Sequence, residues 1–360
     1  MSMAYAITGS GFRMKIMIAG YFSAFWHEDA WGRALRELGH EVIEFPIKPY
    51  FSKNLFGRMQ DRFMVGPAIN QANADLLQAV SDTKPNIVLC YRALPLKPDT
   101  IRELTSNRAN ARLVVCYNND NAFGELGNKA YWRLFKKAIP QYDLHLVYRD
   151  SDVPHLGQRV SSHILHPHYL PWLHRCLPRD EIVKWQSDIC FLGHFEPDRR
   201  QNELDTLMKS VPAQYRLNGS FWDQNSQGMA WQGMNTTELQ GDEYVKALNA
   251  AKIALVFFST WNADTFTRRV FEIPACGTMM LSQRTETMRS LYTEDKEAIY
   301  YESVEELVDK ARFYLANDTV REKIAKAGHK RCIESGYDIY SRMREWLAIV
   351  DTMQQAKVQA

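Results

Sequence analysis

Apolar and polar positions in this chain come in alternating blocks: short, nearly continuous apolar runs, each followed by a longer amphipathic stretch. From Lys15 the run KIMIAG reads as a buried strand ending at Gly20, Glu28 to Leu38 as a helix stopped by Gly39, and EVIEF as the next strand. The order recurs with a helix over Ala72 to Ser81 before NIVLCY, one over Asp99 to Thr105 before RLVVCY, and one over Lys129 to Ala138 before LHLVY. Strands and helices alternating in this way predict an α/β fold: a doubly wound parallel sheet with right-handed crossovers and helices on both faces.

The pattern fails between about Leu165 and Gln186, where HPHYLPWLHRCLP carries three prolines, and a domain linker is the simplest reading. It then resumes with DICFLG, a helix over Arg200 to Lys209, YRLNG, a helix over Asp242 to Ala251, IALVFF, a helix over Arg268 to Ala275, TMMLS and AIYY. After Ser303 the pattern is wholly helical: Ser303 and Glu306 form a capping box, Asp318 caps the next helix, and Gly328 and Gly336 punctuate the rest. The expected organisation is an N-terminal extension over residues 1–13, since Met14 directly precedes the first strand, then a Rossmann-like domain over 14–170 and a linker over 171–186. A second Rossmann-like domain follows over 187–336, and a last helix over 337–360 crosses back to the first domain. At 360 residues the chain is long enough for two cores. Two such sheets are expected to turn the carboxyl ends of their strands towards a shared cleft.

Composition narrows the partners. With 44 basic and 42 acidic residues the net charge is +2, which gives no broad reason to bind nucleic acid or an anionic membrane, so any basic site must be local. There is no apolar run of bilayer-spanning length and no signal-peptide pattern at the start. The cysteines (Cys90, Cys116, Cys176, Cys190, Cys276, Cys332) are widely spaced and form no CxxC pair, as in a reducing compartment. A cytoplasmic protein is expected.

The most informative stretch is NADTFTRRVFEIPACGTMMLS, residues 262–282. A helix starting near Arg268 aims free N–H groups at the cleft, a seat for a diphosphate, and Arg268 and Arg269 add charge there. One turn on, Glu272 has the two acceptor oxygens that suit a vicinal diol such as the ribose of a nucleotide. Its neighbours Phe271, Ile273, Pro274, Ala275 and Cys276 are apolar, unlike those of a solvated helix face. In FLGHFEPDRR, Gly193 closes a strand and lets backbone approach a ligand, while Arg199 or Arg200 can neutralise a phosphate.

The pattern R-x-FEIPACG-x-x-x-LS, followed by KEAIYYESVEELVDKARFYLAND, REKIAKAGHKRC and a late Tyr340–Arg342, resembles the spore-maturation CgeB-like glycosyltransferases. The resemblance extends upstream through SDICFLGHFEPDRRQNEL and YRLNGSFW, covering residues 187–346, and matches the N-terminal half in outline. It implies GT-B architecture, two Rossmann-like domains facing a central cleft, with a nucleotide-sugar donor in the C-terminal one. Asp264 and Glu272, separated by seven residues, resemble the paired acids of retaining GT-B enzymes, the first contacting the donor sugar and the second the ribose. Asp stands at 264 where that class has Glu. The implied activity is metal-independent transfer of a sugar from a nucleotide-activated donor, with no cofactor beyond that substrate, to a hydroxyl of a glycan, protein or small molecule.

In the N-terminal half the loop GYFSAFWHED follows the first strand, where doubly wound folds bind ligands, and offers Gly20 for close approach and His27 as a general base. Asp120, in VVCYNNDN, is the rival base. Asp150-Ser-Asp152 has the form of a metal-binding D-x-D, but Asp and Ser also make turns. His155, His163, His166, His168 and His174 crowd one stretch without zinc-type spacing. Aromatics such as Tyr215, Phe221, Trp222 and Trp231 read as core or interface residues. An oxidoreductase would share the sheet type, yet no G-x-G-x-x-G follows a strand, and Gly9-Ser-Gly11 precedes the first one. A non-catalytic nucleotide-sugar binder and a sugar-nucleotide epimerase of the same architecture stay open.

Overall fold

The computed structural model describes residues 13–106, 112–124 and 130–359, so all of the expected N-terminal extension except Arg13 lies outside the described residues, as do Gly9 and Gly11. The chain divides into two compact units, one of residues 1–165 with 343–360 and one of residues 166–342.

The first unit opens with β1 (Lys15–Gly20), α1 (Glu28–Glu37), β2 (Glu41–Pro46), α2 (Leu55–Phe63), α3 (Pro67–Thr83), β3 (Ile87–Tyr91) and α4 (Pro98–Ser106). It continues with β4 (Leu113–Asn118), α5 (Arg133–Ala138), β5 (Leu144–Val147), α6 (Val153–Leu156) and β6 (Ser162–Ile164). The sheet order is β2-β1-β3-β4-β5-β6 and every pairing is parallel, with Ile16 between Val42 and Ile87. Helices cover both faces, so β3 and β4 are buried at every position; this is why their sequences read as unbroken apolar runs.

In the second unit α7 (Arg179–Ile182) leads to β7 (Ser187–Leu192), α8 (Arg199–Ser210), β8 (Tyr215–Asn218), α9 (Gly241–Ala250), β9 (Ala251–Val256), α10 (Arg269–Ala275) and β10 (Met279–Gln283). After these come α11 (Glu286–Leu291), β11 (Ile299–Tyr301), α12 (Val304–Ala316) and α13 (Asp318–Glu334). This sheet is also parallel, in the order β11-β10-β9-β7-β8. The chain ends with α14 (Ile339–Gln359), whose residues from Met343 on belong to the first unit. There Met343, Trp346 and Val350 are fully buried, and Trp346 stacks on Trp31 of α1 at 6.2 Å.

Several details differ from the sequence reading. Residues 166–186, read largely as linker, belong to the second unit, where Tyr169 exchanges backbone hydrogen bonds with Tyr337 and Ile339. The elements α2, β6 and α11 carry no clear period and went unpredicted. Ser303 does cap α12, accepting from Glu306 N at 3.2 Å, but Asp318 lies inside α13 and pairs with Arg321 at 2.6 Å. Gly328 is also interior to α13, and its missing side chain lets the helix press against the Glu297 carbonyl.

Both sheets reverse strand order once, between β1 and β3 in the first and between β7 and β9 in the second. Loops leaving the carboxyl ends of the strands on either side of such a point diverge and leave a crevice. These are the loops over 21–27 and 92–97 in the first unit, and over 193–198 and 257–268 in the second. Among the described residues, no helix is long and apolar enough to cross a membrane.

Candidate active site

In the second unit the loop after β9 folds back on itself: Asp264 N donates to Ser259 O at 2.9 Å, and Ala263 takes a left-handed φ of 49°. The loop delivers the chain into α10, a helix of only seven residues with Pro274 inside it, ended by Gly277 at φ 76°. Two turns of helix carry a modest dipole, so positive charge here comes chiefly from Arg268 and Arg269.

Glu272, in the first turn of α10, is 2% exposed. Its Oε2 accepts from the Tyr244 hydroxyl of α9 at 2.7 Å, and its Oε1 lies 2.5 Å from Arg268 Nε. His174 Nε2 stands 3.7 Å from the same Oε1. The His174 Nδ1 accepts from Leu170 N at 2.9 Å, so its proton resides on Nε2, facing the carboxylate. Burial by itself raises the Glu272 carboxyl, but Arg268, His174, the Tyr244 hydroxyl and Arg269 outweigh it and bring the pKa down to about 2. Burial lowers His174 to about 4, Glu272 opposing and Arg268 adding to the shift, so it is neutral near pH 7. The result is a buried carboxylate ionised at neutral pH, with one of its roughly four lone-pair sites taken by the Tyr244 hydroxyl and Arg268 beside it as an ion pair.

The loop after β7 is built on two close backbone approaches. A Cβ on Gly193 would lie 2.7 Å from Arg269 Nη2, so the glycine makes room for that guanidinium, which also bonds the Leu192 carbonyl and lies 5.9 Å from the Phe191 ring centroid. Gly219, after β8, sits directly against the Gly193 carbonyl, which accepts from Trp222 Nε1 at 2.7 Å. Gly193 is therefore a packing glycine whose occupant is Arg269.

The two arginines at the start of α8 separate. Arg200 is buried, donates to Asp198 Oδ1 and Oδ2 at 2.8 and 3.0 Å and to His194 O at 3.0 Å, and forms an ion pair with Glu196 Oε2 at 2.9 Å. That makes it a structural clamp rather than the phosphate ligand its sequence position suggests. Glu196 is itself buried, and its oxygens also meet His194 Nε2 at 2.7 Å and Ser259 Oγ at 2.8 Å, tying the loops after β7 and β9 together. Burial would raise the Glu196 carboxyl, but His194, Arg200 and Ser259 lower it further than burial raises it. Arg199 is 43% exposed and bonds Glu203 Oε1 at 2.6 Å and Glu302 O at 3.3 Å, leaving it the accessible member of the pair.

In the first unit, Gly20 leaves room for Glu28, whose Oε1 would lie 2.5 Å from a Cβ there and accepts from Tyr21 N at 2.8 Å. A protein carboxylate thus fills the space read as a ligand approach, and burial raises its pKa, with backbone N–H groups and Arg92 opposing. His27 precedes α1 without capping it, and its Nδ1 lies 3.0 Å from the Tyr91 hydroxyl at the end of β3. Asp120 is ion-paired with Arg92, a residue held at φ 44° directly after β3. His27, Tyr91, Arg92 and Asp120 thus collect on the carboxyl side of this sheet.

Asp152 is buried 3.9 Å from Arg149, in a 3-10 turn after β5. His155 stacks on Phe123, His163 bonds Glu345 at 2.8 Å and His166 packs edge-on to Phe266. Among the described residues no group of three or more His, Cys, Asp or Glu is placed to hold a metal. Trp222 and Trp231 are fully buried in the second core, as expected, whereas Phe221 is exposed. Sequence reasoning missed Tyr244, Glu196, Ser259 and Arg92, and saw His174 only as one of a crowd. The one available signal was His174 in the Pro- and Leu-rich stretch LPWLHRCLP, where a buried polar group needs a partner; Tyr244, between Glu243 and Val245 in GDEYVK, carried none.

Residues 199–348 match the family model described as glycosyl transferase-like. No curated protein matches the chain by sequence. Among solved structures, Anabaena HepE in complex with UDP and glucose aligns at a TM-score of 0.66 and 11% identity, over 94% of this chain and 100% of that one. Sucrose-phosphate synthase from Thermosynechococcus elongatus aligns at 0.66 and 14%, over 96% and 99%. A glycosyltransferase from Rickettsia africae aligns at 0.66 and 12%, over 95% and 98%. The chain has the GT-B fold of glycosyltransferases, with a glycosyl transferase-like segment that runs from α8 of the second unit into α14.

Proposed function

We propose that this protein transfers a sugar from a nucleoside-diphosphate sugar to a hydroxyl acceptor without a metal ion, the donor held by the second unit and the acceptor by the first. The observation that carries the proposal is Glu272: a fully ionised, buried carboxylate at the start of a short helix, oriented by Tyr244 and His174 and shadowed by Arg268. Ribose hydroxyls would take the lone pairs left on Glu272. Arg268, one-third exposed, would turn from the carboxylate to the diphosphate, joined by Arg269 and Arg199. Asp264 would meet the donor sugar. For the acceptor proton His27 is the better base, because the charge of Asp120 is committed to Arg92.

A uridine donor is supported by the UDP and UDP-glucose complexes of Anabaena HepE. The finer resemblance to CgeB-like enzymes rests on FEIPACG and the segments around it. A cytoplasmic setting fits six free cysteines, five of them buried.

The test is release of nucleoside diphosphate from a panel of nucleotide sugars, with and without EDTA, by the wild type and by Glu272→Ala. Release that requires a sugar donor, survives EDTA and is lost in the variant supports the assignment. Tight donor binding without turnover against any acceptor would instead make the chain a non-catalytic binder.

A further inference from the structure

In the first unit, α2 turns its apolar side chains outward: Leu55 is 67% exposed, Phe56 61%, Met59 48% and Phe63 42%, and Val65 just beyond is 49% exposed. At about 100° per residue, Leu55, Met59, Phe63 and Phe56 span an arc of about 100°, Arg62 and Arg58 extend it on one side, and Gly57 and Gln60 face inward. A surface helix ordinarily presents polar groups here.

The outward orientation is fixed by the inner face. Asn54 caps the helix by accepting from Gly57 N at 2.8 Å, and Gly57 lies against the backbone of Ser52. Gln60 Oε1 accepts from Ala68 N at 2.9 Å, Asp61 accepts from the Tyr21 hydroxyl at 2.8 Å, and Arg133 donates to Met64 O at 3.2 Å. Rotating the helix to bury its apolar stripe would break all of these bonds. Charge is also sorted. Lys53, Arg58 and Arg62 are exposed and have no carboxylate partner among the described residues, while the single acid of the helix, Asp61, is held by Tyr21.

We propose that α2 docks the protein onto an anionic lipid bilayer, lying in the interface with Leu55, Phe56, Met59 and Phe63 at the acyl boundary and Lys53, Arg58 and Arg62 among the headgroups. A bulky apolar stripe edged by unpaired basic groups is the pattern of an in-plane interfacial helix. An antiparallel pairing with a second copy of the chain fits poorly, because a two-fold axis perpendicular to the helices would set their basic edges against each other. The stripe is also formed by few side chains, Leu55, Phe56, Met59, Phe63 and Val65, against the roughly 20–30 residues a side of a stable protein interface. Net charge near zero does not oppose this reading, since recognition by anionic headgroups is set by charge within about one Debye length. Through Asp61 and Tyr21, docking would hold the loop after β1 at the membrane surface.

The full-length protein should co-sediment with phosphatidylglycerol-containing vesicles and not with pure phosphatidylcholine vesicles, and release should follow added salt. Phe56→Ser with Phe63→Ser should weaken partition at least about ten-fold, and Arg58→Gln with Arg62→Gln about five-fold per charge removed. UDP affinity and melting temperature should be unchanged in both variants. The proposal is overturned if wild-type protein stays in the supernatant of the anionic vesicles, or if the phenylalanine variant sediments equally well. It is equally overturned if gel filtration shows a dimer that those substitutions dissociate.

Discussion

The Tyr244 hydroxyl donates a 2.7 Å hydrogen bond to Glu272 Oε2, so the start of α9 sets the carboxylate that opens α10. If that carboxylate grips a nucleotide ribose, Glu272→Gln should weaken UDP binding by about 1–3 kcal/mol, the cost of losing charged hydrogen bonds in a buried site. Tyr244→Phe should cost stability by about 0.5–1.5 kcal/mol and weaken UDP binding less than the change at Glu272 does. Calorimetric titration with UDP and urea denaturation would read the two effects separately.

Arg200 and Arg269 are expected to fail in opposite ways. Arg200→Met strands the buried carboxylates of Asp198 and Glu196 and should cost about 3–5 kcal/mol of stability, seen as a lowered urea midpoint. Arg269→Met leaves no buried acid unpaired, and its main effect should be a weaker nucleotide affinity.

At Gly193 the incoming methyl of an alanine would meet the Arg269 guanidinium at 2.7 Å. Gly193→Ala should therefore mimic Arg269→Met in UDP titration and also lower the melting temperature, because the buried Phe191 ring stands 2.9 Å from the same methyl and cannot give way as the guanidinium can. Gly219→Ala meets the Gly193 carbonyl, which cannot, and should destabilise the unit outright.

Acid stability should fall in two limbs. His145 and His174 are each lowered by burial from 6.5 to about 4, the Ile139 carbonyl opposing at His145 and Glu272 at His174. Below about pH 6.5 the unfolded chain takes up protons the folded one refuses, so stability drops towards pH 4 by up to on the order of 3 kcal/mol for each histidine. Glu272, lowered from 4.5 to about 2, contributes stability that is present above its unfolded value and lost only as pH falls from 4.5 towards 2. Urea midpoints across the range would show the upper limb flattened by His174→Gln and the lower limb flattened by Glu272→Gln.

For the acceptor side, His27→Gln should lower kcat by about 10²- to 10⁴-fold with donor KM little changed, as expected for loss of a general base. Asp120→Asn should lower the melting temperature through Arg92 and reduce kcat less. The reverse ranking in turnover would move the base to Asp120.

How much of this was legible beforehand depends on where each residue's partners lie. All strands but the partly exposed, three-residue β6 announced themselves because both sheets are covered on two faces, and the motif ending in FEIPACG set Glu272 among apolar neighbours. The sequence does not separate Arg199 from Arg200, because a basic pair at a helix start looks the same whether it faces phosphate or is folded into Asp198 and Glu196. Gly20 and Gly193 read as places where backbone meets a ligand, but the groups beside them, Glu28 at the one and Arg269 and Phe191 at the other, come from the protein itself. Tyr244 lies 28 positions from Glu272, and no local pattern links them. Helix α2 hid because it is apolar on the outside and anchored by Asn54, Gln60 and Asp61 within, the inverse of the amphipathic rule.

Because Trp346 and Val350 of α14 complete the core begun by α1, the first unit lacks part of its interior until the ribosome has passed Val350. During synthesis the second half can close first, while the nascent first half waits with Trp31 uncovered. A stop codon after Arg342 should accordingly produce aggregation or proteolysis of the first half, even though every strand of its sheet has been translated.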